Sequence, residues 1–224
     1  MDNRHQSPLL FGHLNLHRSR AVNIQLSRDI SELNLDIVGI NEPYFNQKSI
    51  ITDLSSNIKI YAFAHKPKAA ILINRTDLED FSVYSEQCIQ AIGFTYGCKK
   101  LLFVSIYIPP TDNIKLHISK LQSLAARFTD RSVLITGDFN AKSPIWGGST
   151  VHRSGPVLQF INQFDLIILN DPNSPPTYCT PQGQSWIDLM ITNDTHFSHY
   201  SVADIITASD HELLTCTYTL DTNP

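Results

Sequence analysis

The feature that most constrains the fold of this chain is its series of short apolar segments separated by turn residues. About ten segments have the length and composition of β-strands, and about three longer stretches have helical periodicity. Two pairs of adjacent segments are predicted hairpins: residues 58–64 pair with 68–74, and residues 88–97 pair with 99–110. Because hairpins build antiparallel sheet, we expect sheets that are mostly antiparallel or mixed.

The predicted helices each carry one apolar face. In residues 19–34 the apolar stripe begins at Val22 and runs through Leu26 and Ile30, and Ser19 is the candidate N-cap. Residues 112–128 and 155–165 are the other two helical stretches. Two sheets of this size pack face to face at about 10 Å, and amphipathic helices cover their outer faces. The predicted fold class is therefore α/β (α+β), a four-layer α-β-β-α sandwich of two mixed, mostly antiparallel sheets.

Composition and charge limit the possible functions. A hydrophobic fraction of 42% is sufficient for a real core, and no linker divides residues 1–224, which we expect to form a single domain. The net charge of −4 means that a nucleic-acid partner must be met by a local basic patch, because phosphate binding favours cationic surfaces. The candidates for such a patch are Arg18, Arg20, Lys99, Lys100, Lys142 and Arg153.

The cysteines and the hydropathy pattern indicate the compartment. The four cysteines form no Cys-x-x-Cys pair, which argues against a zinc or thioredoxin-type site. The sequence has no signal-peptide pattern and no apolar run near the ~18 residues of a membrane span. We therefore expect reduced thiols, an intracellular location and no membrane partner.

Polar residues collect where the apolar strands end. Strand ends along one edge of a sandwich form a rim that commonly carries function. Each residue alone has a simpler interpretation as a turn residue or strand terminator. The pair Asp138 and Asn140 is the most informative, because polar groups that close a buried strand cost free energy unless they are satisfied or used. The full set, in chain order, is Asn15, Glu42, Tyr107, Asp138, Asn140, Asp188, Asp210 and His211.

Several of these residues lie in short motifs that resemble a known family. The motifs are NEP at 41–43, SIYIPP at 105–110, GDFNA at 137–141 and SDH at 209–211. In this order and spacing they resemble the exonuclease III/DNase I-like endonuclease–phosphatase superfamily. The stretches INEPY and GDFNAKSPIWGG are most similar to the apurinic/apyrimidinic-like endonuclease domains of LINE-type (non-LTR) retrotransposons. The resemblance extends from Asn15 to about residue 220. Asn41 departs from it, since many relatives have Gln there.

The resemblance implies roles for the matching residues. Glu42 matches the glutamate that binds the divalent metal, and Asp210 is expected to help hold that ion. Mg²⁺ is the implied cofactor, with Mn²⁺ as a possible substitute, because hard oxygen ligands suit these ions. No small-molecule cofactor is expected. The other matches are catalytic: Asn15 in the phosphate and metal region, Tyr107 on the scissile phosphate, and Asp138 and Asn140 around the attacking water. Asp188 matches the late Asp of the family, and His211 matches the histidine of its terminal Asp-His pair.

The chemistry of phosphodiester hydrolysis is consistent with these roles. Asp138 would orient or deprotonate water, with Asn140 fixing the geometry. His211 would hydrogen-bond a non-bridging phosphate oxygen as an imidazolium, and Asp188 is expected to hold its ring and raise its pKa.

Residues 177–188 are predicted to form a β-hairpin with its tip near Gln182. The resemblance implies that it enters a groove of double-stranded DNA. The residues expected to contact DNA are Thr177, Gln182, Gln184 and Ser185, with Lys142 and Trp146 on the same surface.

The sequence therefore indicates a Mg²⁺-dependent DNA endonuclease that leaves a 3′-hydroxyl for target-primed reverse transcription. Such proteins continue into a reverse transcriptase, so we expect a domain excised from a longer polyprotein that acts in the nucleus. The alternatives are an abasic-site repair endonuclease, a phosphatase of the same superfamily and a non-enzymatic binding module.

Overall fold

The computed structural model describes residues 7–220. These residues form sixteen strands and three helices. The helices are α1 (Arg20–Glu32), α2 (Ile114–Arg127) and α3 (Ser154–Gln163). The strands are β1 (Leu9–Asn15), β2 (Ile37–Asn41), β3 (Lys59–Ala62), β4 (Ala69–Ile73), β5 (Asp80–Glu86), β6 (Ile89–Tyr96), β7 (Lys99–Tyr107), β8 (Ser132–Asp138), β9 (Lys142–Ser143), β10 (Gly147–His152), β11 (Ile167–Ile168), β12 (Tyr178–Thr180), β13 (Gly183–Ser185), β14 (Asp188–Thr192), β15 (Phe197–Val202) and β16 (Leu214–Tyr218).

The strands form two six-stranded sheets and two small ribbons. The first sheet has the order β15-β16-β1-β2-β4-β3, and the second has the order β11-β14-β8-β7-β6-β5. Each sheet contains one parallel pair, β1 with β2 and β7 with β8, and its other pairs are antiparallel. The ribbons are β9 with β10 and β12 with β13.

Three apolar clusters separate four layers. The central cluster joins the two sheets, with Phe11 and Ile71 from the first sheet and Phe103 and Met190 from the second. A second cluster packs α1 against the first sheet, and a third packs α2 and α3 against the second sheet. Burial of these faces removes apolar area from water and is the main favourable term in folding. The predicted four-layer sandwich is confirmed.

Most of the predictions about individual helices and strands are confirmed. Ser19 lies in extended backbone and its hydroxyl accepts a hydrogen bond from the Val22 amide at 3.4 Å, so it caps α1 as predicted. Both predicted hairpins are present as β3–β4 and β6–β7. Strand β5 was not predicted, because its half-exposed residues carry little apolar alternation. Strand β15 ends at Val202, and the chain then turns, with the Ile205 amide donating to the Ala203 carbonyl.

The topology brings the polar strand ends to one edge. In the parallel pair of the first sheet, Asn15 is opposite Asn41, and in that of the second sheet, Tyr107 is opposite Asp138. Asp188 begins β14 directly opposite Asp138. Parallel neighbours end at the same edge, so these side chains meet above the packed core.

The four cysteines form no disulfide. Cys88, Cys98, Cys179 and Cys216 are all free thiols. Within the part of the chain that the structure describes, no helix has both the length and the hydropathy of a membrane span.

Candidate active site

Two asparagines of the first sheet hold Asp138 of the second sheet. The Asn15 side-chain amide donates to Asp138 Oδ2 at 3.1 Å, and Asn41 Oδ1 accepts the Asp138 backbone amide at 2.8 Å. All three residues are buried. Both asparagines are the last residues of adjacent parallel strands, so their positions are set by the sheet register. These contacts fix Asp138 across the interface between the sheets.

The turn after β8 orients the second residue of the Asp138–Asn140 pair. The Asn140 backbone amide donates to Asp138 Oδ1 at 2.9 Å, and its side chain donates to the Ile108 carbonyl at 3.2 Å. Asn140 has φ +46° and Glu42 has φ +43°, in the left-handed region that costs free energy for side chains with a Cβ. Such strained positions cluster at functional sites when the surrounding structure holds them.

A buried Asp–His pair lies behind Asp138. His211 Nδ1 is 2.8 Å from Asp188 Oδ2, and the Thr177 hydroxyl donates to the same oxygen at 2.8 Å. Thr177 also accepts the Ile187 and Asp188 amides. The predicted contact between Asp188 and the His211 ring is confirmed. It leaves Nε2 as the His211 nitrogen available to the cleft.

The pKa values of Asp138, Asp188 and His211 are strongly shifted from their usual ranges. Burial, and then the charge of Asp188, raise the pKa of Asp138 to about 8. Burial alone would raise the pKa of Asp188, but His211 and His13 outweigh it and hold this pKa below its usual range. Burial opposes protonation of His211, yet Asp188 raises its pKa to about 9. The predicted direction for the pKa of His211 is therefore confirmed, and this raised pKa favours the imidazolium form at neutral pH.

The remaining predicted residues line the mouth of the same cleft. The cleft has a volume of about 230 Å³, and its lining includes Asn15, Glu42, Tyr107, Asp138, Asn140, Asp210 and His211. Glu42 Oε1 accepts from Arg18 at 2.7 Å, and Asp210 Oδ2 lies 3.4 Å from His17 Nδ1. Burial, followed by the nearby Glu42 and Asp138 charges, raises the pKa of Tyr107 above its usual range, so its hydroxyl remains a donor.

Comparison with known proteins decides the family. Residues 101–215, just over half of the chain, match the profile described as endonuclease–reverse transcriptase. The chain belongs to this endonuclease–reverse transcriptase family. The resemblance inferred from the motifs is thereby confirmed. No curated protein matches the sequence.

Solved structures share the fold of this family member. The endonuclease domain of TRAS1, a telomere-specific non-LTR retrotransposon, is 21% identical with a TM-score of 0.84, over 96% of this chain and 99% of that one. An endonuclease/exonuclease/phosphatase family protein from Bacteroides thetaiotaomicron is 14% identical with a TM-score of 0.69, over 96% and 100%. A humanised D. rerio TDP2 is 12% identical with a TM-score of 0.68, over 96% and 100%. At these identities the likeness establishes the sandwich fold.

The hairpin predicted beside the site is present, but two of its assigned surface residues are not on the surface. Gln182 and Gln184 are exposed. Lys142 is half-buried and borders both the cleft and a neighbouring groove, which is lined by residues 147–150 and 184–186. Thr177 has no exposed surface, because it is enclosed with Asp188, so the expected DNA contact is wrong. Ser185 is almost as buried, although it borders both the cleft and the groove.

Trp146 is also wrongly assigned to the surface. Its indole has no exposed area, packs in the same core cluster as α3, and donates to the Ala141 carbonyl at 3.3 Å. The aromatic side chain that borders the groove is Trp186, whose ring lies against the backbone of Gly147 and Gly148. Its indole NH donates to the Ser174 carbonyl at 2.9 Å, which ties the hairpin base to that loop.

Sequence reasoning missed two polar residues that contact the site. Asn41 appeared only as a departure from the family pattern, yet it accepts the Asp138 amide. His13 lies two positions before Asn15 on the same face of β1, where its ring approaches Asp188. That two-residue spacing was the available signal, because alternate residues of a strand share a face.

Proposed function

We propose that this protein is a Mg²⁺-dependent DNA endonuclease that nicks target DNA and leaves a 3′-hydroxyl for target-primed reverse transcription. One observation carries the proposal: carboxyl groups, a histidine and polar amide and hydroxyl groups from both sheets converge on a single cleft. The family match and the likeness to the TRAS1 endonuclease domain support a nuclease with this arrangement.

The cleft has the donor chemistry for a hard divalent cation. Glu42, Asp138 and Asp210 all border it, and carboxylate oxygens are the ligands that Mg²⁺ prefers. We assign Glu42 and Asp210 as the residues that hold the ion, with Mn²⁺ as a substitute. Asp138, Asp188 and His211 form a tighter set of possible ligand atoms within 4.8 Å of one another. We do not assign the ion there, because Asp188 is enclosed and His211 Nδ1 is engaged with it. When bound, the cation neutralises charge on the phosphate and the leaving oxygen.

The protein groups perform the proton and positioning chemistry. Asp138, held by Asn15, Asn41 and the Asn140 amide, accepts a proton from the attacking water in its ionised form, which a bound cation would favour over the protonated form of the cation-free site. The water oxygen bonds to phosphorus, the bond to the 3′ oxygen breaks, and that oxygen takes up a proton from solvent, so that the products are a 3′-hydroxyl and a 5′-phosphate. His211 Nε2 and the Tyr107 hydroxyl donate to phosphate oxygens, where preorganised donors are each worth roughly 3 kcal/mol.

DNA recognition is assigned to the β12–β13 hairpin. Gln182 lies between its strands and Gln184 on β13, and both side chains are exposed. An amide side chain offers both a donor and an acceptor to base edges. We propose that these two side chains contact base edges in the DNA groove next to the cleavage site, and that Lys142 contacts a nearby DNA phosphate.

A plasmid-nicking assay tests the activity. We expect purified protein to relax supercoiled DNA with Mg²⁺ and to stop in excess EDTA, and DNA polymerase should extend the nick directly. Asp138→Ala and His211→Ala should abolish nicking, while the exposed matched controls Asp165→Ala and His65→Ala retain it. Full nicking in EDTA would exclude the cation, and wild-type rates in either site variant would refute the assignment.

The same assay separates the other activities of this fold. An abasic duplex cleaved far faster than intact DNA indicates a repair enzyme. Release of phosphate from sugar or inositol phosphates without nicking indicates a phosphatase, an activity carried by the similarly folded mannosyl-6-phosphatase of Bacteroides thetaiotaomicron. We expect neither outcome. We further propose that the enzyme acts in the nucleus with a reverse transcriptase region of the same polyprotein.

A further inference from the structure

A second histidine, His13, lies behind the active site, next to Asp188. His13 belongs to β1, where Phe11, His13 and Asn15 share the face that packs against the second sheet. Its side chain is fully buried, and its Nε2 lies 3.4 Å from Asp188 Oδ1. The pair therefore crosses the interface between the sheets.

The two facing atoms have no other partner. Among residues 7–220, His13 Nε2 and Asp188 Oδ1 are both buried without a hydrogen bond. The other carboxylate oxygen, Oδ2, already accepts from Thr177 and His211. A buried carboxylate oxygen without a donor costs free energy, and a nearby ring N–H removes that cost. Only His13 offers such a group at this distance among the described contacts.

A glycine on the neighbouring strand allows the two sheets to approach closely next to His13. His13 is opposite Gly39 in the parallel pair of the first sheet. A Cβ at Gly39 would lie 2.5 Å from the Thr136 hydroxyl of the second sheet. The glycine thus allows the sheets to approach closely beside His13, where a larger side chain would force them apart.

We infer that His13 is a positioning residue, which donates from Nε2 to Asp188 Oδ1 and thereby fixes the carboxylate that orients His211. The inference rests on the proposed phosphodiester cleavage at this site. His13 touches no substrate. It acts through Asp188, because a carboxylate held on both oxygens cannot rotate, and Oδ2 then stays aligned with His211 Nδ1.

Substitution separates this role from simple packing. Gln places an amide nitrogen near the position of Nε2, whereas Leu fills similar space without a donor. We expect His13→Leu to lower kcat for nicking about 10–100-fold with KM for DNA within about two-fold, and His13→Gln to stay within about three-fold of wild type. Melting temperatures are measured for both. Wild-type kcat in folded His13→Leu, or an equal loss in folded His13→Gln, would overturn the inference.

A measurement on the wild-type protein removes the dependence on folding and activity. Two-bond ¹H–¹⁵N correlation spectra show which ring nitrogen of each histidine carries a proton, and the His13 signal is assigned by its absence in His13→Gln. The inference requires a proton on Nε2. A ring protonated on Nδ1 alone contradicts it. If the wild type cleaves no DNA with any cation, the proposed function fails, while this spectrum still decides the role of His13.

Discussion

Replacing Asp138 by Asn should abolish nicking and yet stabilise the cation-free fold at alkaline pH. The carboxylate is buried, with Asn15 and the Asn140 amide as neutral donors and no direct cationic partner among the described contacts. Burial and the charge of Asp188 raise its pKa from 3.8 to about 8. The folded state therefore holds a proton that the unfolded state has released, and stability falls as pH rises between these two values.

The magnitude follows from the pKa difference. At about 1.4 kcal/mol per pKa unit, the rise corresponds to at most about 6 kcal/mol of stability lost as the pH increases through this range. The asparagine never ionises, but its NH₂ group replaces one acceptor and forfeits one hydrogen bond, which costs about 1 kcal/mol. We expect a net gain of about 2 kcal/mol or more at pH 8, or roughly 4–8 °C in melting temperature for a chain of this size.

The assay is thermal unfolding in EDTA from pH 4 to pH 8.5, with nicking measured in parallel. The difference between Asp138→Asn and wild type should be near zero or negative at pH 4 and grow with pH. Asp210→Asn is the matched control, since it makes the same chemical change at a half-exposed carboxylate of the same cleft. A variant no more stable than wild type at pH 8, or a difference that does not vary with pH, would refute the reasoning.

Two further predictions concern the strand end and the hairpin. Gly137→Ala should lower the free energy of unfolding in urea by about 3 kcal/mol or more, since its Cβ would lie 1.9 Å from the Ile106 carbonyl oxygen. The control Gly155→Ala, whose Cβ would have nothing within 4 Å, should be neutral or stabilising by up to about 1 kcal/mol. Equal effects of the two substitutions would contradict the packing argument. Gln182→Ala with Gln184→Ala should redistribute nick positions, at about 1–3 kcal/mol of discrimination per lost base contact, without loss of Mg²⁺-dependent cleavage on plasmid DNA. Unchanged nick positions on a sequenced duplex would exclude the hairpin from recognition.

The elements that the sequence predicted well are those whose signal is local. Ser19 and the stripe after it define α1, because an N-cap hydroxyl and helical spacing act within a few residues. The two hairpins are similarly local, since their strands are adjacent in the chain. Strand β5 has no such signal, because its side chains stay half exposed and its identity depends on pairing with β6.

Among the predicted site residues, those at strand ends were placed correctly, whereas one in a turn was not. Strand-end position was enough to gather Asn15, Tyr107 and Asp138, because register carries parallel strands to a common edge. It was not enough for Trp146, whose setting among Ser, Pro and Gly resembles an exposed turn. Burial there depends on α3, which follows later in the chain and covers the indole. Periodicity indicates which side of a strand is buried, but not which residue will cover a turn.

His13 illustrates why the polar interior of such a fold is the hardest part to predict. A lone histidine on an apolar face has no local partner, and its interaction with Asp188 joins residues that are remote in sequence. The arrangement is nevertheless forced once the sheets pack, because Asp188 must be ionised to hold the His211 imidazolium and its second oxygen then needs a donor. The cost of burying Asp138 and the placement of His13 thus have one cause: the proposed catalytic carboxylates lie inside the sandwich, where an ionised group costs free energy that only neighbouring side chains can offset.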